Sequence, residues 1–517
     1  MNFNRTPTAG GKGHLLALLA GAVFPLGLAP LDLWPLIPVS MAVLVWLLEG
    51  LKPGQAFKRA WWYGIGFNGV GVSWVYVSIH YFGHTPLWLS VLATALFVAF
   101  LALVLFAIPF WFYRRVNLDR SALLAFPALW VLVEWSKTWI LSGFPWLWAG
   151  YGFIDTPLAP LGPVTGVLGI SFVVALTAVL LRQLVQRHTV QQHNDQRGRA
   201  ALALIVIWGA SFALGQFQWV QPNAEPALKV ALVQGNIDQD KKWDPAYRDL
   251  ILLTYKNLTE QAWDADLILW PEAAYPVFHH QASNFISNLN IRAREKNVAV
   301  VSGVPFWQWE NERSTYYNSI FVIGAGDGLY HKQRLVPFGE YVPLEQYIRG
   351  LIPFFNLPMS SFTPGRDDQK PLEAKGLKFA AYICYEIVYP ELVRTEALGK
   401  DFLVTISNDA WFGRSWGPLQ HFQMARMRAL ETGKYLLRGT NTGVTAVIDH
   451  QGKVLGQLPQ FQEGLLKGSF RTVSGVTPYM HWGWWPVLGL SGALVLIGLV
   501  LGFGPARPPQ ERPLFRK

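Results

Sequence analysis

A single cysteine, Cys384, in 517 residues excludes any intrachain disulfide and any zinc or iron–sulfur site built from several cysteines. Charge is also scarce: Asp, Glu, Lys and Arg make up 15% of the chain, against about 25% in ordinary soluble domains. No GxGxxG or GxxxxGK(S/T) stretch occurs, which removes the usual support for nucleotide binding. No cofactor or metal is expected. What remains is apolar: 51% of the residues are hydrophobic and 24 are Trp, a residue that favours the bilayer interface. The net charge of +10 could suggest nucleic acid, but its basic residues cluster in short loops between apolar segments. Membrane topology explains them better, and no nucleic-acid partner is expected.

Apolar stretches near bilayer length recur at 14–31, 34–50, 58–80, 87–112, 121–141, 163–182, 200–216 and 482–504. Lys and Arg crowd alternate connections. Arg5 and Lys12 precede the first stretch; Lys52, Lys58 and Arg59 follow the second; Arg114, Arg115 and Arg120 follow the fourth. Arg182, Arg187, Arg197 and Arg199 follow the sixth, and Arg507, Arg512, Arg516 and Lys517 the eighth. The positive-inside bias therefore predicts eight spans with both termini cytoplasmic. A cleaved signal peptide at Ala20-Gly21-Ala22 is the alternative for the first span. Three parts follow: a seven-helix membrane domain (1–217), an extracytoplasmic domain (218–480), and an eighth span with a cytoplasmic tail (481–517). Within the fifth span, Glu134 and Lys137 sit one helical turn apart and are expected to form a local ion pair.

From about residue 228 the pattern changes to short aliphatic runs bounded by turn residues. Val230–Gln234, Leu267–Trp270, Val298–Val301, Ser319–Ile323, Lys378–Cys384, Phe402–Ile406 and Val444–Asp449 read as strands, with helices at 246–262, 281–296 and 418–432. Nearly all-apolar strands imply sheets covered on both faces, hence a layered α/β domain. Two strands end in chemistry-bearing residues: Trp270-Pro271-Glu272 closes one, Ile383-Cys384-Tyr385-Glu386 another. Between them, 330–340 carries Lys332 and Glu340 around a Pro-Gly turn. A thiol needs a base to become a nucleophile and a cation to hold the oxyanion formed on attack, so Cys, Glu and Lys suffice for acyl transfer without histidine. His279-His280 reads as a surface pair and His421 as one face of a helix. Each signal has a plainer counterpart: a lone cysteine in an apolar run is commonly packing, Trp-Pro-Glu a capped turn, and Lys332 part of a solvated basic stretch.

Together the segments resemble the Glu–Lys–Cys triad of the nitrilase (carbon–nitrogen hydrolase) superfamily. More narrowly, Trp270-Pro271-Glu272, 335–340, 383–386, 407–413 and 423–431 resemble the apolipoprotein N-acyltransferase family, over essentially the whole chain. That resemblance implies an αββα sandwich joined to a multi-span helical membrane domain in the bacterial inner membrane, with the catalytic domain periplasmic. It implies Glu272 as base, Cys384 as nucleophile and Lys332 as oxyanion stabiliser, helped by a backbone N–H near Tyr385. It implies a phospholipid acyl donor such as phosphatidylethanolamine, a cysteine thioester, and the α-amino group of a diacylglyceryl-cysteine apolipoprotein as acceptor. Glu340 and Glu386 match family positions expected to orient Lys332 and the nucleophile strand, and Trp243 a tryptophan expected beside the pocket.

A lipid substrate requires an opening towards the bilayer. The apolar stretch 347–362, with Phe354 and Phe355 between Pro353 and Pro358, reads as an arm dipping into the membrane. Trp411, Phe412 and Trp416 are expected at the same mouth, and Trp482, Trp484 and Trp485 as an interfacial anchor of the last span. Two competing readings are a membrane-tethered amidase using the same triad and a transporter or sensor with a binding domain outside.

Overall fold

The computed structural model describes residues 10–186, 190–224, 227–310, 312–343 and 361–503. Phe354 and Phe355, with nearly all of the expected arm, lie outside the described residues.

A helix stands at each of the eight apolar positions: Gly11–Val23, Leu36–Leu48, Pro53–Gly71, Leu87–Ala102 continuing to Arg115, Ala122–Ser136, Gly162–Val185, Val190–Leu214 and Trp485–Phe503. Four of them, at 87–115, 159–185, 196–214 and 485–502, are long and apolar enough to cross a membrane; 11–27 and 36–48 are shorter apolar helices. The first and third helices touch through glycines. A Cβ on Gly21 would meet the Tyr63 carbonyl at 2.0 Å and one on Gly66 the Leu18 carbonyl at 2.0 Å, so only hydrogen permits this backbone approach.

Glu134 and Lys137 are both buried, yet each bonds other groups. Glu134 Oε1 accepts from Trp130 Nε1 (2.8 Å) and the Ala149 N–H (2.7 Å), while Lys137 Nζ donates to the Trp146 carbonyl (3.2 Å). The expected ion pair thus works as two ties on the loop that follows. That loop is unusual: Leu141, Ser142 and Gly143 all have left-handed φ, at +50°, +75° and +95°. For the two non-glycine residues this stores strain, roughly 1–3 kcal/mol each, that the surroundings must impose.

The second region is a sheet-based domain. Its strands are β1 (Val220–Pro222), β2 (Leu228–Gln234), β3 (Leu267–Leu269), β4 (Ala299–Glu310), β5 (Arg313–Gly324), β6 (Gly326–His331), β7 (Leu372–Ala374), β8 (Leu377–Ile383), β9 (Phe402–Ser407), β10 (Leu436–Thr440), β11 (Ala446–Ile448), β12 (Val454–Gln457), β13 (Gly464–Phe470) and β14 (Val473–Gly475). β1 and β14 form a separate antiparallel pair, and the other twelve make one ribbon in the order β12-β11-β10-β9-β8-β7-β6-β5-β4-β3-β2-β13. β2, β3 and β4 run parallel, as do β8, β9 and β10, and antiparallel strands join the two sets. The ribbon doubles over so that apolar side chains of β2–β6 meet those of β7–β10 in a shared core. The helices Arg248–Glu260 and Ser283–Glu295 cover one outer face. The other face packs under Gly417–Thr432, hereafter the docking helix, whose far side joins the core of the helix bundle. The arrangement is an αββα sandwich in which one helical layer also faces the membrane helices.

Each helix expected in this domain has a counterpart, but β1, β6, β7, β10, β12, β13 and β14 are additions to the expected strands. β13 reads Gly464-Leu465-Leu466-Lys467-Gly468-Ser469-Phe470, with too little alternation to stand out; its pairing with β2 over seven residues fixes it.

Candidate active site

Strands of the two layers end on the same side of the sandwich, and the residues that follow them bring candidate catalytic side chains together. Glu272 follows β3, Lys332 follows β6, Cys384 follows β8 and Asn408 follows β9. The Lys332 ammonium lies 2.8 Å from the Glu340 carboxylate and 4.0 Å from Glu272 Oε1. Asn318, from β5, bridges the two acids, its Nδ2 donating to Glu272 Oε1 (2.7 Å) and Glu340 Oε1 (2.9 Å). Glu272 Oε2 accepts the Asn408 N–H at 2.7 Å, and Glu340 Oε2 accepts the Val336 N–H at 2.8 Å. Both carboxylates and the ammonium are therefore held by several partners each, so rotation away from the site would break buried bonds.

Burial alone would lower the Lys332 pKa, but the Glu340 and Glu272 carboxylates outweigh it and keep the lysine above its usual range. Burial raises the Cys384 thiol, the carboxylates of Glu272 and Asp409 raise it further, and Lys332 opposes them. At neutral pH the resting site is thus a neutral thiol beside a charged ammonium.

Cys384 has φ +52°, the left-handed region, at the first residue of a 3₁₀ turn running to Val388. Glu386, in that turn, reaches both ways. Its Oε2 accepts the Ile383 N–H (2.7 Å), and its Oε1 accepts the Tyr330 hydroxyl (2.8 Å) and the N–H groups of Gln333 (2.6 Å) and Arg334 (3.1 Å). One buried carboxylate therefore ties the residue before Cys384 to the residues on either side of Lys332. Burial pushes its pKa up to about 7 despite those donors.

Tyr385 points out of the sheet domain. Its hydroxyl donates to the Gly143 carbonyl (2.9 Å) and its ring stacks on Trp146 at 6.5 Å. Tyr389 donates to the Ser142 carbonyl (3.0 Å) and Tyr341 to Ser142 Oγ (2.7 Å). Three tyrosines around the Cys384 turn thus grip the strained loop of the helix bundle. The docking helix adds Gln420, which accepts from Trp74 Nε1 (3.1 Å) and Trp146 Nε1 (2.8 Å), and Gln423, which donates to Asp32 Oδ1 (2.8 Å).

Of the expected lining residues, Trp411 and Phe412 meet the helix bundle. Trp411 packs edge-on to Phe82 at 5.8 Å and its carbonyl accepts from Ser78 Oγ at 2.7 Å, while Phe412 meets Trp74 at 4.8 Å. Trp416 caps the docking helix and is half-buried. Trp243 is half-buried at the end of the short helix Gln239–Lys242. Its neighbour Lys242, fully buried, donates to the Glu272 carbonyl at 3.0 Å, and burial lowers its pKa to about 8 against the pull of Glu272.

Several groups at the site escaped sequence reading: Asn318, Lys242 and His421. His421 is not on an open helix face; it is buried under the Cys384 turn with Nε2 3.0 Å from the Cys384 carbonyl. His280 is exposed as expected, while His279 is half-buried against Phe306 and Phe321 at 5.4 Å each. No cluster of metal-ligating residues occurs among the described residues.

Residues 229–473 match the carbon-nitrogen hydrolase family, which makes the sheet domain nitrilase-like, and residues 20–180 match the apolipoprotein N-acyltransferase N-terminal domain. The apolipoprotein N-acyltransferase of Pseudomonas putida is 47% identical over 500 residues, 95% of this chain and 97% of that protein. That of Pseudomonas aeruginosa is 47% identical over 511 residues, 98% of each chain. That of Vibrio cholerae is 42% identical over 513 residues, 96% of this chain and 98% of that one. With this identity sustained through both the helix bundle and the sandwich, the chain belongs to the apolipoprotein N-acyltransferase family of enzymes.

Proposed function

We propose that the enzyme moves an acyl chain from a membrane phospholipid, through a thioester on Cys384, to the α-amino group of a diacylglyceryl-cysteine at the N-terminus of an apolipoprotein. The observation that carries a lipid ester over a soluble amide is the grip of Tyr385, Tyr389 and Tyr341 on the helix-bundle loop at Ser142–Gly143. Beside it Trp139 and Leu141 are 55% and 71% exposed, apolar surface suited to a bilayer.

Glu272 takes the proton of the neutral Cys384 thiol as sulfur attacks the ester carbonyl. Lys332 and the Tyr385 N–H receive the oxyanion, and Glu340 keeps the ammonium aimed and charged. Collapse passes the proton from Glu272 to the leaving lysophospholipid oxygen. In the second half-reaction the α-amine attacks the thioester, Glu272 takes an amine proton, and the departing thiolate recovers it. Water must be kept from the thioester between the two halves, which suits a site closed by the aromatic groups of two regions.

The same reading puts the sandwich on the outer side of the inner membrane with both termini cytoplasmic and eight spans. Intact-protein mass spectrometry after exposure to phosphatidylethanolamine tests the chemistry. One acyl mass is expected on the wild type, none on Cys384→Ala, and loss of the adduct on adding a diacylated lipopeptide. An unmodified wild-type protein under turnover conditions would refute the thioester route.

A further inference from the structure

Beneath the nucleophile turn lies a buried group of ionisable side chains that the two half-reactions leave unused. His421, from the docking helix, rests against Trp146 with ring centroids 6.0 Å apart. Its Nε2 is 3.0 Å from the Cys384 carbonyl oxygen. Its Nδ1 is 3.2 Å from Arg438 Nη2 and 3.1 Å from Asp409 Oδ1. Arg438, on β10, also donates through Nη2 to Asp409 Oδ2 (2.8 Å) and through Nε to the Val444 carbonyl (3.2 Å). The Ser407 hydroxyl donates to Asp409 Oδ1 at 2.5 Å.

These partners assign the proton. A carbonyl oxygen only accepts, so Nε2 carries the hydrogen. Burial and then the Arg438 guanidinium lower the His421 pKa against the pull of Asp409, which keeps the ring neutral. The Nδ1 lone pair then faces the Arg438 donor, and Arg438 bridges ring and carboxylate. Burial would raise Asp409, but Arg438 and His421 hold it down to about 2, so the carboxylate that anchors the bridge is charged at neutral pH. The group is a rigid post with a single N–H at its top.

We infer that His421 is a positioning residue for acyl transfer: its Nε2–H pins the Cys384 carbonyl and thereby aims the N–H of Tyr385 at the oxyanion. The step from carbonyl to N–H is geometric. The carbonyl of Cys384 and the N–H of Tyr385 belong to one planar trans peptide and point in opposite directions, so fixing one fixes the other. Cys384 has a left-handed φ that an L side chain adopts only under external constraint, and His421 supplies that constraint from a different element. The inference rests on the oxyanion role proposed for Tyr385.

Two substitutions separate positioning from bulk. Gln places its amide nitrogen near the site of Nε2 and keeps the bond to the carbonyl. Asn places its amide near Nδ1, keeps a polar group against Asp409 and Arg438, and reaches no further. The full-length protein in mixed micelles of detergent and phosphatidylethanolamine is followed by intact mass for the rate of Cys384 acylation, and by thermal unfolding. His421→Gln should acylate within a few-fold of wild type, and His421→Asn about a hundredfold more slowly with KM for the lipid unchanged. Equal rates in the Asn and Gln variants would overturn the inference, whether both are fast or both slow. If either variant fails to accumulate, Arg438→Lys replaces it: the loosened bridge should slow acylation while leaving KM alone, and a wild-type rate would again overturn the inference. Failure of wild-type Cys384 to acylate at all would instead strike the thioester mechanism itself.

Discussion

Two buried sets of glutamate and lysine can be compared within this molecule. In the sandwich, Lys332 lies 2.8 Å from Glu340, and every carboxylate oxygen of Glu272 and Glu340 has a donor. In the helix bundle, Glu134 and Lys137 bond tryptophan and backbone groups instead of each other. The same residue types therefore do different work. Where the pair is direct and fully bonded, an ammonium is kept charged beside a thiol. Where each bonds other groups, the two fasten the loop 143–150 to the end of a helix. Burial of an acid and a base in proximity is no guide to chemistry; what each oxygen accepts is.

The contrast can be broken most forcefully at Lys332 and, after it, at Glu134. Lys332→Ala should lower the rate of Cys384 acylation by about a thousandfold, measured by intact mass, because the oxyanion loses its cation. A residual rate within tenfold of wild type would show that the Tyr385 N–H suffices. Glu134→Ala should act in the other direction. It leaves the Trp130 indole and the Ala149 N–H without their acceptor, for a cost of about 2–3 kcal/mol in stability, seen as a lower apparent Tm. Acylation per folded molecule should stay within a few-fold of wild type. A collapse of acylation without a change in Tm would mean that the bundle pair is catalytic after all.

The smallest effect concerns the seam between the regions. Glu431 of the docking helix accepts the Val167 N–H at 2.7 Å, and burial pushes its pKa up to about 7 against the pull of Arg428. A carboxyl whose folded pKa is raised favours the fold while protonated. Its penalty therefore starts near pH 4.5, grows as the pH rises, and is constant above about 7. Glu431→Gln removes that titration. The Tm of the variant relative to wild type should climb between pH 5 and 8; a flat difference would mean that Glu431 is ionised throughout.

Much of this was legible in the sequence, for reasons that also explain what was not. The apolar stretches and the strands bearing Glu272 and Cys384 announce themselves because their burial is nearly uniform over a run long enough to notice. Glu272, Lys332, Cys384, Glu340 and Glu386 were accessible through motifs. His421 was not. The docking helix is buried around almost its whole circumference, including Gln420, His421, Gln423, Arg428 and Glu431, so its polar residues lose their meaning as markers of a wet face. They are buried because partners in another region accept or donate to them, and no local period encodes a partner four hundred residues away. Arg438 was hidden similarly, as a charge inside a five-residue strand. The expected pairing of Glu134 with Lys137 failed because helical spacing brings side chains within reach but does not say what else competes for them.

The loop at Leu141–Gly143 has a consequence for anyone wishing to simplify this enzyme. Ser142 and Gly143 accept from Tyr341, Tyr385 and Tyr389 on one side, and just downstream Trp146 and Ala149 are tied by Lys137 and Glu134 to a bundle helix on the other. A sandwich excised as a soluble fragment would keep Glu272, Lys332 and Cys384 and lose the loop that Tyr385 and Tyr389, beside Cys384, bond. Detaching the activity from the membrane would require carrying that loop along, as a graft, on a scaffold able to bend it.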